Sequence, residues 1–188
     1  MYPRPDFYSG ALLNFAENLL FPANVEVDES AIAVITATED EKTLTETTWA
    51  ELREQVRRCT NAMRDAGVKE NSIVAGFVAN HITALVAILS SAALGAIWTG
   101  ISPDSGVSAV LDRLVQISPQ VLLADNATLY NGKQWPCTEK TIEIVRALKG
   151  NGLKLAVIIR GLENVGLGLD VLQATGVAAV AFDSWLEA

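Results

Sequence analysis

Twenty consecutive residues without a charged side chain, Ile82 to Ile101, constrain the fold of this chain more than any other feature. The stretch has the length of a membrane span, but Gly95 interrupts it and the β-prone residues 96–99 follow. We therefore interpret it as a buried helix, Ile82 to Leu94, followed by a buried strand, Ala96 to Ile101. The pattern predicts no membrane span.

Further strands and helices alternate on either side of this stretch. The other helices are predicted over Leu12 to Leu20, Thr48 to Gly67, Val107 to Ile117 and Thr138 to Leu148. The other strands are predicted over Ala31 to Thr36, Thr43 to Thr47, Ile73 to Val78, Val121 to Ala124, Leu155 to Ile159 and Ala178 to Phe182. This alternation predicts an α/β fold, a layered and mostly parallel sheet with flanking helices. Residues 1–28 are predicted to form a lead-in with a short helix, and residues 29–188 a partial α/β subdomain.

Polar residues mark the predicted helix starts. Thr48 and Glu51 have the spacing of a capping box, and Asn80 is expected to cap the helix at Ile82 through its side-chain oxygen. Asp104 or Ser105 is expected to cap the helix at Val107. The charged residues 39–42 are predicted to form a hairpin-like turn before the strand at Thr43.

Composition excludes several classes of protein. The 14 Lys and Arg residues against 22 Asp and Glu give a net charge of −8, which disfavours binding to nucleic acid or anionic membranes. Half of the residues are hydrophobic and the mean hydropathy is +0.27, so the chain is not disordered. The first six residues lack the apolar segment of a secretory signal, which makes the cytoplasm the expected compartment.

The sequence offers little catalytic chemistry. There is no glycine cluster with Lys and a hydroxyl for a phosphate-binding loop. His81 lies at a predicted helix start, which favours a structural role over that of a base. Cys59 and Cys137 are isolated, with no zinc-ligand spacing, and we interpret them as buried thiols. No catalytic residue and no metal ligand is therefore predicted.

Two segments could bind an anion. In residues 97–106 a strand ends and a helix begins, where free helix amides attract anions and Gly100 allows close approach of a ligand to the backbone. An ordinary strand-to-helix turn explains the same residues. Tyr130 to Lys133 follows another strand, and Lys133 supplies a charge suited to phosphate. The alternative there is a solvated Asn-Gly turn.

Several blocks, in order along the chain, resemble the acetoacetyl-CoA synthetases, AMP-forming acyl-CoA synthetases of the adenylate-forming enzyme superfamily. The resemblance covers about residues 3–150, and its blocks are residues 13–20, 74–77, 95–98, 102–104, 110–113 and 130–133. It implies the first part of the family's large domain. It also implies a two-step reaction, in which acetoacetate and ATP form an acyl-adenylate and the CoA thiol then displaces AMP.

The resemblance also implies which residues bind ligands. Backbone at Thr99 and Gly100 would pack against the adenine or ribose phosphate of CoA, and Lys133 would pair with phosphate, with Tyr130 beside it. ATP and Mg²⁺ are substrates of the full-length family, whose phosphate loop and C-terminal lysine are not among these residues, so the isolated chain is expected to be inactive.

Two roles remain open from the sequence. The chain is either part of a ligase of lipid metabolism or a truncated, non-catalytic homologue that binds CoA or another protein. In both cases we expect an apolar face that contacts the remainder of a synthetase or another protein, and self-association of the isolated chain.

Overall fold

The computed structural model describes residues 4, 6, 8–38 and 44–187, and a parallel β-sheet between two layers of helices is its main feature. Among these residues the strands are β1 Ile32–Ala37, β2 Leu44–Thr48, β3 Ile73–Phe77, β4 Ile97–Ile101, β5 Val121–Asp125, β6 Ala127–Tyr130, β7 Lys133–Pro136, β8 Leu155–Ile159 and β9 Ala178–Ala181. The helices are α1 Phe15–Leu20, α2 Trp49–Asp65, α3 Ile82–Ala93, α4 Val107–Ile117, α5 Thr138–Leu148, α6 Leu169–Gln173 and α7 Phe182–Trp185. The predicted α/β class is confirmed.

The parallel sheet has the strand order β4-β3-β5-β8-β9, and β1–β2 and β6–β7 are separate antiparallel pairs. From β3 the chain continues through α3 to β4 on one side, and α4 then leads to β5 on the other side of β3. Gly76 of β3 is paired with Gly100 of β4 and with Leu123 of β5. Ligands of open parallel sheets bind in the crevice at such a reversal of strand order, beyond the carboxyl ends of the strands.

Side chains of the central strands alternate between two hydrophobic cores. Val74 and Val121 face the core shared with α2 and α3, whereas Ala75 and Leu122 face the core shared with α4 and α5. All five residues of β5 are buried. Helices cover both faces of the sheet, so side chains on both faces are removed from water. Apolar side chains suit these positions because each buried apolar Å² stabilises the fold by roughly 25 cal/mol.

The predicted start of α2 is confirmed. Thr48 Oγ1 accepts a hydrogen bond from the Glu51 backbone N–H at 3.2 Å, and the Glu51 carboxylate accepts one from the Thr48 N–H at 2.8 Å. The backbone and side-chain hydrogen bonds from Thr48 lower the pKa of Glu51. Because the folded pKa is lowered, this stabilisation is present above the unfolded pKa and is lost as pH falls through the folded one.

Side-chain hydrogen bonds fasten the N-terminal segment to the helices of one layer. Asn14 caps α1 and donates from Nδ2 to the Ala92 carbonyl, near the end of α3, at 2.9 Å. Arg53 of α2 donates from Nε to the Leu20 carbonyl at 2.9 Å. The Arg53 guanidinium also lies 4.7 Å from the centre of the Phe21 ring, within cation–π range.

The uncharged stretch forms α3 and β4, and no helix in the described part of the chain is long and apolar enough to cross a membrane. The prediction that β4 is buried was wrong, because it is an edge strand on which Ile97 is 51% exposed. The strand predicted from Ala31 is not buried either, since among the described residues β1 pairs only with β2, and it exposes Ile32 and Ile35. The predicted charged turn at residues 39–42 lies outside the described residues.

The first predicted helix is also shorter than expected. It begins at Phe15 because Asn14 is its N-cap, and Leu12, predicted on its apolar face, is 97% exposed. Helix α7 was not predicted, and Phe182, predicted to end the last strand, begins it. Two further small features were not predicted, the β6–β7 pair and helix α6. They lie in segments whose turn residues were recognised but whose short flanking elements have weak periodicity.

The N-terminal segment exposes a set of large apolar side chains, here called the N-terminal apolar surface: Leu12, Leu13, Phe15, Phe21 and Val25.

Candidate functional site at the carboxyl edge of the sheet

A cavity of about 740 Å³ lies beyond the carboxyl ends of β3 and β4, next to the reversal of strand order between β3 and β5. Its walls are formed by residues 78–80, 100–104 and 128–130, with Ala84, Ile88 and Trp98. The β3–α3 turn, the β4–α4 loop and the β6–β7 hairpin thus meet around one space. Their convergence makes this cavity the candidate site.

Asp125, the last residue of β5, connects the elements beside the cavity. Its side chain is 1% exposed; Oδ2 accepts a hydrogen bond from the Ala79 backbone N–H at 2.8 Å, and Oδ1 lies 3.0 Å from His81 Nε2. The buried carboxylate therefore holds the ends of β3 and β5 together with the start of α3.

The Cys137 thiol lies near Asp125. Burial raises its pKa most, and the negative charge of Asp125 raises it further, which disfavours a nucleophilic role for Cys137.

His81, not Asn80, caps α3. Its Nδ1 accepts a hydrogen bond from the Ala84 N–H at 3.2 Å, so we assign the ring proton to Nε2, which donates to Asp125. The prediction for Asn80 was wrong because His81 has the extended backbone of the cap position, and Asn80 lines the cavity instead. Both ring nitrogens of His81 are engaged within the fold, which agrees with a structural role.

The indole of Trp98 explains two glycines next to the cavity. A Cβ on Gly76 would lie 2.5 Å from two carbon atoms of this ring, and a Cβ on Gly100 would lie 3.3 Å from its Nε1. The Trp98 ring therefore packs over β3 at Gly76 and over its own strand, β4, at Gly100, and it forms part of the cavity wall. The sequence predicted close approach of a ligand at Gly100; the side chain that lies over Gly100 here is Trp98.

The contacts that fix the β4–α4 loop differ from those predicted from the sequence. Gly106 is the N-cap of α4 and makes no side-chain hydrogen bond, so neither Asp104 nor Ser105 caps the helix. Instead Lys140, in the first turn of α5, donates from Nζ to the carbonyls of Pro103 at 3.0 Å and Ser105 at 3.2 Å. No local sequence signal indicates Lys140, because it is 35 and 37 residues away from these partners.

The β6–β7 hairpin forms the remaining wall. Asn131 and Gly132 have φ of 50° and 68° and join the strands by a two-residue turn. Tyr130 lines the cavity, and Lys133 is its register partner in β7. Directly opposite residues of an antiparallel pair share a face, so Lys133 lies beside Tyr130 on the hairpin.

The structure brings together two of the four predicted binding residues. Gly100 and Tyr130 both line the cavity. Thr99 is not among the residues that line it, because side chains alternate along β4 and that of Thr99 lies on the face opposite Trp98. Lys133 is exposed and joins the site only through its neighbour Tyr130.

A second groove, of about 720 Å³, lies between α1 and α2. Two of its arginines pair with carboxylates, Arg53 with Glu29 and Arg57 with Glu54 at 2.7 Å, and Arg64 donates to Asn61 Oδ1 at 2.8 Å. These pairs leave little net charge for an external anion. The groove is therefore the weaker candidate for a phosphate-bearing ligand.

Known proteins resemble this chain over most of its length. Residues 21–165 match the family described as AMP-binding enzyme. The malonamoyl-CoA synthetase vrtB of Penicillium aethiopicum is 46% identical over 187 residues, which cover 99% of this chain and 25% of that protein. The acetoacetyl-CoA synthetase of Gallus gallus is 39% identical over 155 residues, or 82% of this chain and 22% of that protein.

A solved structure is similar as well. The acetoacetyl-CoA synthetase from Streptomyces lividans matches with a TM-score of 0.79 and 30% identity, over 94% of this chain and 25% of that one. The chain thus spans about a quarter of the length of these relatives.

Asp125→Asn tests the connection at the carboxyl edge. An amide places an NH₂ donor where the carboxylate has one of its two oxygens, so the Ala79 N–H on Oδ2 and the His81 N–H on Oδ1 cannot both keep an acceptor. We expect the free energy of unfolding to fall by about 2 kcal/mol, measured by urea denaturation, because a buried hydrogen bond to a charged group is lost. Asp112→Asn, on the exposed face of α4, is the control and should change it little. Equal effects of the two substitutions would contradict this role of Asp125.

Proposed function

This chain belongs to the AMP-binding enzyme family, and on that premise we propose that it contributes the CoA-binding edge of an acid:CoA ligase of the acetoacetyl-CoA synthetase type. Such a ligase forms an acyl-adenylate from ATP and then transfers the acyl group to the CoA thiol. We assign CoA contacts to the backbone at Thr99 and Gly100 and to the side chains of Tyr130 and Lys133. The observation that supports this most directly is the cavity where β3 and β4 end, lined by Gly100 and Tyr130.

The geometry suits the nucleotide end of CoA. The cavity volume of about 740 Å³ is in the range of small-molecule sites, and Trp98 and Tyr130 offer aromatic surface to a purine ring. Lys133, opposite Tyr130, supplies a mobile positive charge at the mouth. The uncapped N-terminus of α4 adds peptide dipoles that favour an anion, whereas the carboxylate of Asp104 opposes one.

We further propose the class of acid that the complete ligase activates. The relatives are named for acetoacetyl-CoA and malonamoyl-CoA. Acetoacetate and malonamate are short carboxylic acids with a carbonyl group at the third carbon, and they differ only in a methyl against an amino group. Acetoacetate, or its amide analogue, is therefore the substrate that we propose.

Binding of CoA is the first test. Isothermal titration of the 188-residue chain should give a saturable heat with CoA, and Lys133→Ala should weaken the affinity about tenfold, since one phosphate contact of about 1.4 kcal/mol is lost. Lys154→Ala is the matched control, because Lys154 is exposed just before β8, at the amino edge of the sheet. Equal affinities of wild type and Lys133→Ala would remove Lys133 from the site.

Turnover is the second test. The 188 residues contain no phosphate-binding loop to hold the triphosphate, so we propose that they do not form the adenylate alone. Purified chain given ATP, Mg²⁺, acetoacetate and CoA should release no AMP above background. Release of AMP that depends on acetoacetate would overturn this. CoA binding without turnover also fits the second candidate, a non-catalytic CoA-binding or interaction module, which would use the N-terminal apolar surface for contact with another protein.

Self-association is a third expectation. We propose that the N-terminal apolar surface contacts the remainder of a synthetase or, in the isolated chain, a second copy. Light scattering at high concentration should give a mass above 20.1 kDa. The double substitution Leu13→Glu with Phe15→Glu should lower it. Val171→Glu, at an exposed position of α6, is the control, and a monodisperse wild-type monomer would contradict the proposal.

A further inference from the structure

Lys140 connects two parts of the fold that the sheet does not join directly. Its ammonium group, half-buried in the first turn of α5, donates to the carbonyls of Pro103 and Ser105 at 3.0 and 3.2 Å. Both carbonyls belong to the β4–α4 loop, whose residues 102–104 form one wall of the cavity. Lys140 itself does not line the cavity.

The loop has few other means of fixing its position. Within the loop the Ser105 N–H donates to the Ser102 carbonyl at 3.1 Å. The residue at the N-cap position of α4 is Gly106, which has no side chain to cap the helix. Of its side chains, Pro103 is buried while Ser102 and Asp104 are exposed. Hydrogen bonds from a charged donor are stronger than those between neutral groups, so the two from Lys140 dominate the polar contacts that hold this turn.

We propose that Lys140 is a positioning residue for the cavity. By binding two carbonyls of the β4–α4 loop it holds the wall at residues 102–104 and the adjoining start of α4 in the arrangement that accepts a ligand. This inference rests on the proposed function, because the ligand concerned is the nucleotide part of CoA. It adds a residue that contacts the loop rather than the ligand.

The effect on affinity follows from the population of the held loop. A ligand that binds one arrangement loses apparent affinity in proportion to the fraction of molecules that leave it. If removal of the ammonium leaves about one molecule in ten with the wall in place, CoA binds about tenfold more weakly. Amide hydrogens of the loop should then also exchange faster in the free protein, because local opening governs their exchange.

The experiment uses the full 188-residue chain with four substitutions. Lys140→Met removes the ammonium and keeps an unbranched apolar side chain; Lys140→Arg keeps the charge and the donors; Lys140→Gln, a milder neutral change, replaces Lys140→Met if circular dichroism shows that variant unfolded. Lys154→Met is the same change at the opposite edge of the sheet. Hydrogen–deuterium exchange of residues 102–106 and titration with CoA are measured on each.

We expect Lys140→Met to speed exchange of the loop amides and to weaken CoA binding about tenfold. Lys140→Arg should restore most of both properties, and Lys154→Met should change neither. Unchanged loop exchange in Lys140→Met overturns the inference whatever the CoA result, since a direct ligand contact would weaken binding without moving the loop. Unchanged CoA affinity overturns it while the proposed function stands. Absence of CoA binding by the wild type overturns both together.

Discussion

Burial of the parallel sheet on both faces is the constraint from which the rest of the structure follows. β5 is fully buried, and its neighbours β3 and β8 are nearly so, which leaves the interior of these strands to apolar residues. Polar chemistry is therefore confined to the positions where strands end. Asp125 is the clearest example, because it is the last residue of β5. Its buried carboxylate accepts hydrogen bonds from the Ala79 N–H, just after β3, and from His81, at the start of α3.

The neighbouring residue, Asn126, shows the same principle at the other side of β5. Its buried side chain donates to the carbonyls of Leu162 and Val165 at 2.9 and 2.7 Å and accepts from the Gly161 N–H at 2.8 Å. One acidic and one amide side chain at successive positions thus organise separate loops. The sheet gives these loops fixed anchors, and the cavity forms between loops that are anchored in this way.

Elements with strong periodicity were predictable from the sequence. Helices α4 and α5 and strand β8 have the predicted bounds, since a proline, a polar start or a run of β-branched residues marks their ends. The exposure of the strands was less predictable, because β1 and β4 have apolar sequences like those of central strands. The strand order places β4 at the edge of the parallel sheet and β1 in a separate pair with β2. Short elements such as β6 and β7 depend on their partner more than on their own propensity.

The candidate site was predictable where it depends on neighbouring residues and not where it depends on distant ones. A strand end followed by a helix indicated Gly100, and the Asn-Gly turn indicated the surroundings of Tyr130. Lys140 and Asp125 contact groups that are 35 to 46 residues away in the sequence. The cap of α3 is one of two adjacent polar residues, Asn80 and His81, and local sequence does not choose between them. Such contacts are set by the order of strands in the sheet, which local patterns do not encode.

The edge position of β4 affects how the chain behaves in concentrated solution. Its outer side pairs with no other strand of the described residues, and its sequence from Ile97 to Ile101 contains neither a charge nor a proline that would discourage pairing. A strand from a second chain can extend the sheet there through backbone hydrogen bonds alone. Refolding at high protein concentration therefore favours intermolecular sheet growth from this edge, independently of apolar contacts elsewhere.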